Sequence, residues 1–255
     1  ANINTTPNTT MMKLVRSLRK NTQKTLSCSV MNLESEKMIP KIIHQIHMGR
    51  RPLSEQELKW QNTWKEYNPE WEFILWDDEK LKTLNIINEK YLNDCDNYSM
   101  KSDILRFDIL FQFGGLYIDT DFECLKPIDP LFGDDDFIFY RQRHSGPYIC
   151  GAFLASTKHN TFVKKLVDGI DQRTKTHQKE HCVQKYGPAY VTNMVDDTYG
   201  NSYKKSAKFD PTYVYPFLWK DKRINKKLTH TELKKKYPDA FAAHWWNSSW
   251  QNDES

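Results

Sequence analysis

The 255-residue chain contains no apolar run long enough to cross a bilayer and no secretory h-region. It begins at Ala1, so an anchor or signal removed upstream stays open, and with it the compartment. Its five cysteines, Cys28, Cys95, Cys124, Cys150 and Cys182, are scattered and never at zinc-type spacing, which excludes a structural zinc site. They read as reduced or buried thiols, with one or two disulfides open if the chain is lumenal. The excess of positive charge is only +4, too little to imply a nucleic-acid partner, although it suits a small anionic substrate. No internal repeat and no low-complexity linker breaks the chain, so one folded domain is the economical reading. Four Asn-x-Ser/Thr sequons, at Asn4, Asn8, Asn97 and Asn247, carry meaning only on a secretory route.

What is present is a globular composition, with 27% charged and 13% aromatic residues. Residues 1–10 are polar and broken by Pro7, the composition of a disordered end. Residues 11–26 place Met11, Leu14, Val15 and Leu18 at helical spacing among Lys13, Arg16, Arg19 and Lys20. That is either a terminal helix packed on its own domain or a basic amphipathic helix that touches membrane; the first is favoured. Residues 1–38 are therefore set apart as a tail, and residues 39–255 as a single domain. Residues 41–49 (KIIHQIHMG) read as a strand stopped by Gly49. Ser54 and Glu57 form a capping box, opening a helix that Asn68-Pro69 ends. Residues 71–76 (WEFILW) give a second strand, followed by a short helix capped at Asp77-Asp78. Residues 99–113 are a buried helix ended by Gly114-Gly115, and residues 116–121 (LYIDTD) are the next strand. Further strands are expected at 137–140, 149–156 and 212–217, and helices at 159–170 and 188–196. Strands alternating with helices predict an α/β fold with a mixed, mainly parallel central sheet.

Residues 102–121, SDILRFDILFQFGGLYIDTD, carry the most chemical information. Strand alternation puts Tyr117, Asp119 and Asp121 on one face, away from Leu116, Ile118 and Thr120. Two carboxylates on one face at a strand end make a hard divalent-cation site, Mn²⁺ or Mg²⁺, in a cleft rather than a core. Such an ion suits a diphosphate leaving group, whose charge grows as its bond to a sugar breaks. Asp103 and Arg106, three apart, share one helix face; they serve either a ligand or an intrahelical salt bridge.

Asp-x-Asp alone is a weak motif. The full string S-D-x-x-R-F-x-I-L…G-G-x-Y-x-D-x-D closely resembles the family 32 glycosyltransferases, which include yeast-type mannosyltransferases, and the catalytic domains of the large clostridial glucosylating toxins. IPKIIHQIHMG and NPEWEFILWDDE resemble the same family's first two strands, so the likeness covers residues 39–125. Beyond that it thins to ICGAFLAS, GPAYVT at 187–192 and HWWNSSW at 244–250.

The resemblance implies a GT-A fold with a Rossmann-like nucleotide-binding domain, a nucleotide-sugar donor, a Mn²⁺-type metal, and transfer with retention. It implies that Asp121 ligates the metal directly, and that Asp119 meets it through water or contacts the donor ribose. Ser102, Asp103 and Arg106 fall where the donor sugar is held, and Tyr117 matches a tyrosine near the donor. His244 is the expected third metal ligand, with Ser248 and Trp250 on the diphosphate. The family usually has Trp where this chain has His47, placed to stack on the nucleobase; His47 offers a smaller face. His44 reads as structural. Asp196, Asp197, Glu123 and Asp210 are candidate nucleophiles by residue type alone, and front-side attack needs none. The acceptor, a glycan, lipid or protein hydroxyl, is expected to be chosen by loops at 141–147 and 171–187. A nucleotide-sugar hydrolase and an inactive sugar-nucleotide-binding module on the same fold are the alternatives to a transferase.

Overall fold

The computed structural model describes residues 38–49, 51–142, 148–177, 182–200 and 210–247. Backbone contacts separate Ala1–Met38 from Ile39–Ser255, and every described helix and strand belongs to the second unit. The amphipathic segment at 11–26, and Ser248 and Trp250, lie outside the described residues. No helix among the described residues is long and apolar enough to cross a membrane.

In chain order the elements are β1 (Ile42–Ile46), α1 (Glu55–Tyr67), β2 (Glu72–Trp76), α2 (Asp78–Leu81), α3 (Glu89–Leu92), α4 (Tyr98–Phe113), β3 (Gly115–Ile118) and β4 (Phe122–Cys124). Then come β5 (Phe137–Arg141), β6 (Ile149–Ser156), α5 (Thr161–Thr176), α6 (Cys182–Lys185), α7 (Pro188–Tyr199), α8 (Lys222–Asn225), α9 (His230–Lys236) and β7 (Ala242–His244). The main sheet runs β2-β1-β3-β6-β5. β1 is parallel to β2 and β3, while β6 is antiparallel to β3 and β5. β6 alone opposes the other four strands, so the sheet is mixed and mainly parallel. β4 and β7 form a separate antiparallel pair.

The local rules hold where they are strongest. Ser54 and Glu57 close the capping box that starts α1. Glu57 is buried there because Arg51 grips both its oxygens, at 2.8 and 3.0 Å. α4 is apolar on more than one side because it is covered on more than one side; Ile104, Phe107 and Ile109 are fully buried. It stops at Gly114 and Gly115, both at positive φ. A β-carbon on Gly115 would sit 2.5 Å from the Ile42 carbonyl, so only glycine lets α4 turn straight into β3 beside β1. Alternation along β3 sends Leu116 and Ile118 to one core and Tyr117 to the other. Cys95, Cys124 and Cys150 are free thiols.

Two expectations need correcting. β3 ends at Ile118, and Asp119-Thr120-Asp121 is a turn closed by the Phe122 N–H on the Asp119 carbonyl (3.3 Å). The chain leaves the main sheet here to pair with β7, so Asp121 owes its position to a turn, not to strand alternation. Residues 212–217 are not a strand; Pro211–Tyr213 is a 3-10 turn. Asp210 caps it through the Thr212 N–H (2.9 Å), and proline at the first position fixes φ for a helical turn.

Candidate active site

β3 delivers Tyr117, whose buried hydroxyl donates to Asp119 Oδ1 (2.8 Å). Asp119 is pinned through its backbone: its N–H donates to Ala152 and its carbonyl accepts from Gln45 Nε2. After the turn, Asp121 Oδ1 meets His244 Nε2 (3.0 Å) and Oδ2 accepts the Asn247 N–H (2.5 Å). His244 arrives from β7, paired with Phe122 and stacked on its ring at 4.6 Å. Trp246 adopts φ 54°, and this left-handed residue aims the following amide at Asp121. The local strain sits where the two short strands bring the chain ends of the site together.

Ligand atoms of Asp119, Asp121 and His244 all lie within 4.8 Å of one another. His244 Nδ1 is buried without a hydrogen-bond partner. Two carboxylates and an imidazole, one nitrogen orphaned, form a donor set that fits a divalent cation. Burial pulls the Asp121 carboxyl upward, but His244 and the Asn247 amide outweigh it and hold it below the usual range.

α4 supplies the second half. Arg106 Nη2 lies 2.9 Å from Asp103 Oδ1 and 3.6 Å from Asp119 Oδ1. Its guanidinium covers the Tyr117 ring at 4.6 Å, and its Nε donates to the Ser102 carbonyl. Burial pushes Asp103 up to about 7, with Arg106 pulling against it and Asp119 adding to it. Burial also works against the Arg106 charge, but Tyr117, Asp103 and Asp119 more than restore it.

A cleft of about 370 Å³ opens over these groups. His47, Ser102, Arg106, Tyr117, Asp119, Asp121 and His244 all line it. Asp103 does not; it stands behind Arg106. His47 is tethered by Nε2–H to the Arg51 carbonyl (2.6 Å). His44 stays out of the cleft: its Nδ1 accepts from Trp76 Nε1 and its Nε2–H donates to Gly114. Burial drops it to a pKa of about 4, so it is neutral and structural.

None of the four candidate nucleophiles lines the cleft. Glu123 faces the other way along β4 and binds His230 and the Trp245 indole. Asp196 pairs with Arg141, Asp197 is exposed on α7, and Asp210 caps its turn. Trp219 lines the cleft although no sequence pattern selected it; Thr120, Trp246 and Gln142 line it from the Asp-x-Asp string, HWWNSSW and the 141–147 loop, where they had no named role. Gly151 was missed too: a β-carbon there would meet Arg106 Nη1 at 2.5 Å. Its only sequence signal is a glycine inside a strand, which marks a close approach.

A mixed, mainly parallel sheet with an Asp-x-Asp turn at its cleft end is the arrangement of the GT-A fold. Residues 54–138 match the family described as "Glycosyltransferase sugar-binding region containing DXD motif". Inositol phosphoceramide mannosyltransferase 1 of Schizosaccharomyces pombe is 34% identical over 135 residues, 49% of this chain and 41% of that protein. Subversion of eukaryotic traffic protein A of Legionella pneumophila is 27% identical over 166 residues, 54% of this chain and 26% of that protein. The chain thus spans less than half the length of these relatives. The solved PaToxG glycosyltransferase superposes with a TM-score of 0.54 at 18% identity, covering 87% of this chain and 96% of that one, a likeness of fold.

Proposed function

We propose that the chain transfers a hexose or N-acetylhexosamine from a nucleotide-diphosphate sugar to a hydroxyl acceptor, with retention and with a divalent cation, Mn²⁺ or Mg²⁺. The observation that carries this reading is convergence: the Asp119–Asp121–His244 cluster and Arg106 face one cleft. Asp119, Asp121 and His244 would hold the ion, which when bound would supply positive charge to the leaving diphosphate. Arg106 and Asp119 present a donor and an acceptor, side by side, for sugar hydroxyls. Asp103 holds the guanidinium in place from behind, and Tyr117 fixes Asp119 by its hydroxyl and Arg106 by its ring face.

Retention is supported by what lines the cleft. Asp119 and Asp121 are its only carboxylates among the described residues, and both belong to the candidate metal cluster. Attack by the acceptor from the leaving-group side requires no further one. His47, with Ser248 and Trp250, is assigned to the donor's nucleotide. UDP-sugars lead the donor class, and GDP-mannose joins them because the S. pombe relative is named a mannosyltransferase. That name also favours a lipid-borne hydroxyl as acceptor over a glycan or protein one.

The test is a thermal-shift panel of UDP- and GDP-sugars with and without Mn²⁺, followed by nucleoside-diphosphate release with and without acceptor. Metal-dependent stabilisation by one donor, lost in Asp121→Asn, is expected. If no nucleotide sugar stabilises the protein with any divalent ion and no diphosphate is released, the reading fails.

A further inference from the structure

The cleft rim carries a feature that the proposed reaction does not use. Trp219–Asp221 and α8 make two consecutive tight turns. They present the two most exposed large apolar side chains among the described residues, Trp219 at 69% and Ile224 at 64%. Trp219 lines the cleft, so a bound ligand accounts for one face of its indole. Ile224 does not line it, and nothing entering the cleft would cover it. An exposed indole and an exposed branched aliphatic five residues apart on consecutive tight turns offer an apolar edge to a partner on the outer surface.

The surrounding charge says which kind. Residues 219–236 hold eight Lys or Arg against two acids. Both acids are already committed, Asp221 to the Leu218 N–H and Glu232 to the Thr229 capping box. Lys220, Arg223, Lys226, Lys227 and Lys235 are exposed. Exposed aromatic and branched apolar residues, interspersed along the chain with exposed long cationic side chains, match the boundary of an anionic bilayer. There the tips reach the acyl region while the cations meet headgroup phosphates.

We infer that the Trp219–Lys227 knuckle is an interfacial docking surface for anionic membrane, which would bring the mouth of the cleft to the lipid headgroups. Docking stands independently of the proposed reaction. Its consequence, that the acceptor hydroxyl is presented at the membrane surface, rests on that reading. Attraction between exposed charges is screened by salt, so binding should weaken as ionic strength rises.

Co-sedimentation of the full chain with phosphatidylcholine vesicles, with and without phosphatidylserine, tests this. The variants are Ile224→Ser and the double change Arg223→Glu with Lys227→Glu, neither of which touches the cleft. Binding should require phosphatidylserine and fall with salt. It should drop by about 10-fold or more in the charge-reversed variant, since each juxtamembrane cation contributes measurably. Ile224→Ser should lower it further at high salt, where only the apolar contact remains. Both variants should keep the wild-type melting temperature and its shift with donor nucleotide. Absence of binding to phosphatidylserine vesicles at low salt overturns the inference. So does equal binding by all variants, or retention on nucleic acid without retention on vesicles. A protein that binds vesicles but no nucleotide sugar would leave the docking surface standing and remove the proposed reaction instead.

Discussion

Asp121 and Glu123 stand two residues apart, both largely buried, and have opposite fates. Glu123 is a closed unit: one oxygen faces His230 and the other accepts from the Trp245 indole. Asp121 shares its place with Asp119 and with a histidine whose second nitrogen has no partner. A single carboxylate can be satisfied by donors from the protein. Two converging carboxylates repel, and a cation held between them would offset that repulsion. The same contrast separates the two histidines. Both nitrogens of His44 are bonded, whereas His244 keeps one orphaned.

The sharpest way to break this comparison is Asp121→Asn. It should lower metal-dependent turnover by roughly 10³-fold or more while the protein still melts cooperatively. Turnover within ten-fold of wild type would mean that the cluster does not bind the ion.

Closed His44 predicts a different readout, stability rather than rate. Its pKa is about 4 in the fold against an ordinary 6.5, so below 6.5 the unfolded chain takes up the proton first. Stability from His44 is complete above pH 6.5, falls as pH drops toward 4, and levels below that. The loss should reach roughly 3 kcal/mol. Urea unfolding across this range, compared with His44→Asn, checks it; equal pH slopes in both proteins would refute the assignment.

Gly151→Ala probes the open site from behind. Its β-carbon would displace Arg106 from its place beside Asp119, and a misplacement of that size should reduce kcat/KM by roughly 10- to 100-fold. Stability measured alongside should change far less than the rate. Glu123→Gln completes the contrast in the other direction. It should cost about 1–3 kcal/mol in urea unfolding, by weakening bonds to His230 and Trp245, with turnover within a few-fold of wild type. A large rate loss there would show that the second cluster is not merely structural.

Much of the fold was legible in the chain because it is local. The Ser54–Glu57 box, the Gly114-Gly115 stop and the alternation at Leu116-Tyr117-Ile118 each follow from dihedral limits and side-chain spacing within a few residues. The same locality misled at 212–217, where alternating aromatics suggested a strand but Pro211 and the Asp210 cap made a 3-10 turn. It misled again in extending β3 through Asp121, since only pairing with β7, over a hundred residues later, ends that strand early.

The sequence by itself determined which groups could do chemistry here: the Asp103–Arg106 spacing, the Asp-x-Asp pair and the family they resemble. Only the tertiary structure decided what each one faces. It set Asp103 behind Arg106 rather than in the cleft, turned Glu123 away from Asp121, made room for Arg106 at Gly151, and brought His244 to the turn. Burial, and the choice of partner across β4 and β7, are properties of the folded chain, and they separate a carboxylate held closed from one left open to a ligand.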